Sequence, residues 1–150
     1  MNQLLKVAIS LGVVGGFALC AQDVNSADAG FSAQSRVMSE YKGVKLGMKR
    51  DAVKAAAGNP ENSTDTSDEF KLGGDDTMTV HYENGEVKAI QIAFLDPKNA
   101  PAWKDVVGDA EVSELGNGGK TARKTMEAEK FWVSIYQNKD KTTTRITISR

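Results

Sequence analysis

Few side chains in this sequence of 150 residues could do chemistry, and they are scattered. Nucleophilic catalysis needs a base beside a nucleophile, with a third group that orients the base. The sequence has one histidine, His81, and one cysteine, Cys20. Ser134 and Ser149 have no histidine near them in sequence, and no carboxylate pair stands out. We predict no catalytic residues and no enzymatic activity; a hydrolase built on two of the scattered carboxylates is the enzymatic alternative.

Metal and cofactor sites are not predicted either. A zinc site needs three or four Cys, His or carboxylate ligands, and one histidine is too few. The acids at residues 65–69, with Asp75 and Asp76, could bind calcium, but they lack the order of acids and the glycine of an EF-hand. The pattern favours a mobile loop. The glycines at residues 73–74 and 116–119 lack the lysine and helix start of a phosphate-binding loop, and they indicate turns.

The N-terminal segment is predicted to direct export. Residues 1–6 carry one lysine, and residues 7–21 are uncharged and apolar. This run is shorter than the roughly 20 residues that a helix needs to span a bilayer, and it is typical of a secretory signal peptide. We predict a signal peptide at residues 1–21, with a second candidate cleavage site as late as residue 29, and a flexible linker at residues 22–40.

Cys20 raises an alternative in which its thiol is acylated and anchors the protein to a membrane. The residue before it is Leu19, whereas lipoprotein signals usually carry a small residue there. Without lipidation we expect a periplasmic or secreted protein, and with it an outer-membrane lipoprotein. Membrane contact is expected only if Cys20 is lipidated. The net charge of −1, with no basic stripe, argues against a nucleic-acid partner.

Residues 41–150 are predicted to form one domain of two similar units, at about 41–95 and 99–150. Each begins with a short helix that a glycine ends: Gly58 follows residues 50–57, and Gly108, 50 positions later, follows residues 101–107. Three alternating segments follow each helix, at 69–72, 77–83 and 86–95 and then at 120–126, 130–137 and 143–149. Asn84-Gly85 predicts a tight hairpin turn, and a change of phase near Lys88 predicts a bulge.

These patterns predict an α+β fold. The two α-β-β-β units would pool their strands into one antiparallel sheet, with the short helices packed on one face. An antiparallel sheet can leave its other face open to water. That face would then be available for binding.

The first unit resembles a known family. Gly43-Val44-Lys45-Leu46-Gly47-Met48, then Val53, Gly58 and Pro60, and the hairpin at Asn84-Gly85 with Val87 and Ile90, are similar to the SmpA/OmlA (BamE-like) domain. The tandem arrangement is similar to the β-lactamase-inhibitor-protein fold. The second half agrees in element order only. The resemblance implies a small envelope protein that acts by contact with other proteins, and BamE-like proteins are outer-membrane lipoproteins that support β-barrel assembly.

The candidate binding residues are Trp132, Tyr136, Arg145 and His81, which alternate with core positions in the predicted strands. Aromatic residues and arginine are enriched in protein interfaces. The alternative is that Trp132 packs beneath a loop, such as residues 116–119. We predict a protein-binding module that contacts another envelope or extracellular protein through its sheet face and loops. The functional alternative is a lipoprotein anchored through Cys20, with a structural role in the envelope or in β-barrel assembly.

Overall fold

Residues 37–150 are the part of the chain that the computed structural model describes, and strands dominate it. The predicted signal peptide, its cleavage sites, Cys20 and most of the predicted linker lie outside the described residues. The described elements, in chain order, are β1 (Glu40–Tyr41), β2 (Val44–Lys45), α1 (Arg50–Ala57), β3 (Asn62–Ser63), β4 (Ser67–Gly73), β5 (Asp76–Glu83), β6 (Glu86–Phe94), α2 (Trp103–Val107), β7 (Ser113–Glu114), β8 (Lys120–Met126), β9 (Phe131–Gln137) and β10 (Thr144–Ser149).

Eight of the described strands form one antiparallel sheet, in the order β3-β4-β5-β6-β10-β9-β8-β7. Each half of the chain contributes four neighbouring strands, and the halves join where β6 pairs with β10. That junction is regular from Phe94 opposite Thr144 to Ala89 opposite Ser149. Strands β1 and β2 form a separate two-stranded sheet. The hairpins of both halves therefore lie in the same layer.

One face of the large sheet carries the hydrophobic core. Side chains alternate along β5, so Met78, Val80 and Tyr82 are buried while those between them point to the other face. Burying a valine or isoleucine side chain contributes about 1.5–3 kcal/mol, which determines which face of each strand points inward. The inward residues of the central strands are fully or almost fully buried. They are Ile90, Ile92, Phe94, Val133, Ile135, Ile146 and Ile148.

The β5–β6 hairpin has the turn and the bulge that the sequence predicts. Asn84 and Gly85 have φ values of 53° and 75°, as a two-residue turn of this type requires. The strand register then shifts at Lys88, which is an extra residue in β6. Because of this bulge, Val87 and Ile90 both point into the core although they are three positions apart.

The predicted α+β class is wrong, because the described structure is mainly β. Strands take up 46% of it and helices 11%. Helix α1 has 8 residues and α2 has 5, and each ends at a glycine with positive φ, 88° at Gly58 and 63° at Gly108. At 1.5 Å per residue these helices are about 12 and 8 Å long, too short to cover eight strands. The helices add Val53, Val106 and Val107 to the core but do not form a layer.

Extended segments complete the cover of the core. Val37 and Met38 pack against it, and the Met38 N–H donates to the Val106 carbonyl at 2.9 Å. The Tyr41 ring meets the Phe94 ring edge-on, with 6.3 Å between centroids. These contacts place the chain before α1 on the core side of the sheet. Neither described helix is long and apolar enough to cross a membrane.

Candidate protein-binding face

We call the side of the large sheet opposite the core the open face. Its side chains come from alternate positions of β4, β5, β6, β10, β9 and β8, and they are half-buried or exposed. The strand register arranges them in three rows that cross these six strands. The rows are Ser67, His81, Ala89, Ser149, Trp132, Thr125; then Glu69, Thr79, Gln91, Thr147, Ser134, Arg123; and then Lys71, Thr77, Ala93, Arg145, Tyr136, Thr121.

All four candidate binding residues lie on the open face, but the strand register brings only two of them, Tyr136 and Arg145, into direct opposition. Arg145 is directly opposite Tyr136 across the β9–β10 pair. Trp132 is on the same strand and face as Tyr136, four residues away, or about 13 Å along the backbone. His81 shares a row with Trp132, but strands β6 and β10 lie between them, which separates their backbones by about 14 Å.

Arg123 joins these residues, and sequence reasoning missed it. Its guanidinium carbon lies 4.1 Å from the centroid of the Trp132 ring, within cation–π range. Arg123 stands opposite Ser134, one diagonal step from Trp132. Alternation along β8 would place it on the same face, but only the β8–β9 register brings it to the tryptophan. We call Arg123, Trp132, Tyr136 and Arg145 the arginine–aromatic patch.

The turn between β7 and β8 packs against Tyr136 rather than Trp132. A Cβ atom built on Gly119 would lie 2.9 Å from Tyr136 Cε2 and 3.1 Å from the Gln137 carbonyl oxygen. Only a residue without a side chain fits at that approach. The turn therefore supports one edge of the Tyr136 ring, while Trp132 is half-buried beside Arg123.

The arginine–aromatic patch carries positive charge that no described residue neutralises. Among the arginines in residues 37–150, Arg50 pairs with Asp68 and Arg150 with Glu86. Arg123 and Arg145 form no ion pair with a described residue. The open-face positions of β8, β9 and β10 also contain no Asp or Glu. This half of the open face is suited to a negatively charged ligand.

His81 does not form a nucleophile–base pair within the described residues. Ser67 is opposite His81 in the register, but its hydroxyl lies 2.8 Å from Thr64 Oγ1. His81 Nε2 is buried and has no hydrogen-bond partner among the described residues. The side chain as a whole is half-buried.

The acidic segment at residues 65–69, where the sequence predicts a mobile loop, lies partly in β4, and its Asp68 is a buried ion-pair partner. The Asp68 carboxylate accepts hydrogen bonds from Arg50 Nε at 3.0 Å, the Ser63 hydroxyl at 2.6 Å and the Tyr82 hydroxyl at 2.9 Å. A further bond comes from Arg50 Nη2. Burial by itself would raise the pKa of Asp68, but these bonds outweigh it and lower the pKa to about 2. Burial and the bond to Asp68 raise the pKa of Tyr82.

This cluster stabilises the fold and leaves little capacity for a ligand. Four donors already occupy the Asp68 carboxylate, and an ionised carboxylate has about four acceptor sites. Within residues 37–150, no group of three or more His, Cys, Asp or Glu is placed to hold a metal ion. The arginine–aromatic patch is therefore the strongest candidate site. Comparisons of the chain with protein-family models, with curated proteins and with solved structures found no match.

Proposed function

We propose that this protein is an exported, non-enzymatic binding module that docks a partner protein of the cell envelope or exterior on its open face. The observation that carries the proposal is the composition of the arginine–aromatic patch. Two half-buried aromatic rings and two arginines without described ion-pair partners share one face of the sheet. Tryptophan, tyrosine and arginine are the residues most enriched among interface hot spots.

The dimensions of the open face indicate what else the partner must touch. Six strands are about 24 Å wide, and three rows extend about 14 Å along the strands. That area is smaller than the roughly 800 Å² that each partner of a stable complex usually buries. The turns beside the patch, such as the one at Gly118 and Gly119, are therefore included in the proposed interface.

The resemblance of residues 41–94 to the SmpA/OmlA domain agrees with this proposal, since that family is expected to act by protein contact. Family membership stays a prediction. Export likewise stays a prediction, because residues 1–36 lie outside the described part of the chain.

Site-specific photo-crosslinking tests the proposal. A benzophenone amino acid at Thr147, central on the open face, should form an adduct with one envelope protein in cells that produce both. The same group at Lys54, exposed on α1, should not capture that protein. Arg145→Glu should abolish the adduct at Thr147. Two results would contradict the proposed docking face: equal yields of the adduct at Thr147 and Lys54, or a yield at Thr147 that Arg145→Glu does not change.

A further inference from the structure

We infer that the partner presents an extended acidic segment to the arginine–aromatic patch, with two carboxylates four residues apart. This inference rests on the proposed function and adds the chemistry of the partner. It follows from three features of the patch: the free donors of its arginines, the distance between them, and the side chains around them.

Arg123 is held in place but keeps its hydrogen-bond donors. Its guanidinium lies over the Trp132 ring at 4.1 Å, and this cation–π contact uses none of its N–H groups in a hydrogen bond to an acceptor. None of these donors bonds to another described residue. An arginine that is already positioned loses less conformational freedom when it binds a carboxylate with two parallel hydrogen bonds.

Arg145 provides a second, separate anchor. It is exposed on β10, directly opposite Tyr136. Strand β9 lies between Arg145 and Arg123, and the two residues are in adjacent rows. Two strand spacings and two residues along the strand give a backbone separation of about 12 Å.

An extended peptide matches this spacing. Positions i and i+4 of a strand point to the same side and are about 13 Å apart. Glutamate or aspartate at two such positions could reach Arg123 and Arg145 together, and the residues between them would cross β9 between Ser134 and Tyr136, which present hydroxyl groups. No carboxylate on the open face of β8, β9 or β10 would repel the segment.

A nucleic-acid backbone is a poorer match, although phosphate also binds arginine. Nucleic-acid sites usually neutralise several phosphates with clustered lysines and arginines. The patch offers two arginines about 12 Å apart, in a chain whose net charge is −1. The observations therefore favour an acidic polypeptide, and a nucleic-acid ligand becomes an outcome of the test.

The experiment uses the isotopically labelled protein and three synthetic probes followed by NMR titration. The first probe is a nine-residue peptide of alternating threonine and valine with glutamate at positions three and seven. The second has glutamine at those positions, and the third is a nine-nucleotide single strand of thymidine. We expect the glutamate peptide to shift the Trp132 indole and the Arg123 and Arg145 side-chain signals, with a Kd of about 1 mM or tighter.

Matched variants identify the anchors. Arg145→Gln should weaken binding of the glutamate peptide at least about tenfold, the effect of losing one charge-assisted pair. Arg150→Gln should not, because Arg150 is paired with Glu86 away from the open face. Thermal unfolding checks that both variants are folded.

The inference is overturned if the glutamate and glutamine peptides bind equally, if neither binds, or if the nucleotide strand binds more tightly. If the crosslinked adduct at Thr147 still forms alongside any of these results, the proposed docking face is supported and only the acidic segment is ruled out. If the adduct does not form and no peptide binds, both the docking face and the acidic segment are ruled out.

Discussion

Arg50 and Asp68 form an ion pair in which the carboxylate is shielded from water and the guanidinium is partly exposed. The Asp68 side chain has 0% exposure, whereas the Arg50 side chain is 28% exposed. The same guanidinium donates to the Thr64 carbonyl at 2.6 Å and lies 4.9 Å from the Tyr82 ring centroid. One arginine therefore ties the start of α1 to the turn between β3 and β4 and to the edge of the core.

This pair should make stability depend on pH. The pKa of Asp68 is about 2 in the folded state and 3.8 ordinarily. Because the folded value is lower, the unfolded state binds more protons as the pH falls. The contribution is complete above the unfolded pKa and is lost as the pH falls through the folded one, an effect of about 2 kcal/mol. Urea unfolding at pH 7 and pH 2 measures the total change, to which Asp76 and Glu86, whose pKa values are also lowered, add their own contributions.

Asp68→Asn tests the origin of that dependence. We expect the variant to be less stable at pH 7, with a gap to the parent protein that narrows towards pH 2. Asp51→Asn is the control, since Asp51 is exposed on α1. A gap that stays constant over this pH range would show that Asp68 acts through packing rather than charge.

The two faces of β9 should respond differently to truncation. Ile135 is fully buried and Trp132 is half-buried on the open face. We expect Ile135→Ala to lower the free energy of unfolding by about 2–5 kcal/mol. Trp132→Ala should retain a cooperative thermal transition and weaken partner binding by about 2 kcal/mol or more. Loss of cooperative unfolding in the Trp132 variant would instead identify a core residue.

The close approach of Gly119 to Tyr136 gives a paired test within one loop. Gly119→Ala introduces a Cβ 2.9 Å from Tyr136 Cε2, whereas a Cβ on Gly116 meets nothing within 4 Å. We expect Gly119→Ala to destabilise by about 1–3 kcal/mol and to shift the Tyr136 ring signals in NMR spectra. Gly116→Ala should leave both nearly unchanged. Equal effects of the two substitutions would contradict the packing of this turn on Tyr136.

The mass of the protein recovered from the producing cells and their medium tests the predicted export signal. Leu19 before Cys20 disfavours lipoprotein processing, so we expect an unmodified mature chain that starts at Gln22 or Gly30. Cys20→Ala should give the same mature mass. A mature chain that begins with acylated Cys20 would contradict this expectation and support the alternative, a lipoprotein anchored in the membrane.

Local signals in the sequence predict most of the elements. Asn84-Gly85 defines a hairpin because both positions need positive φ. Gly58 ends α1 for a related reason, since its φ of 88° is unfavourable with a side chain. The sequence predicts an α+β class because each predicted unit begins with a helix, but mainly extended chain, such as Val37 and Met38, covers the core.

Contacts between distant positions escaped prediction. Arg50 and Asp68 are 18 residues apart, and the sequence predicts a mobile loop around Asp68 because no local pattern pairs the two residues. Arg123 reaches Trp132 only through the β8–β9 register. The alternation of polar and apolar residues predicts which face of a strand each side chain lies on, but it does not predict which strands pair or in what register.

The junction between β6 and β10 has a consequence for assembly. Phe94 pairs with Thr144 across 50 residues of chain, so the middle of the sheet closes only after α2 and strands β7, β8 and β9 have been made. Until β10 is in place, β6 presents an unpaired strand edge, the kind of surface that recruits strands from other molecules. A nascent chain therefore exposes, as an edge open to aggregation, a strand that later lies in the middle of the sheet.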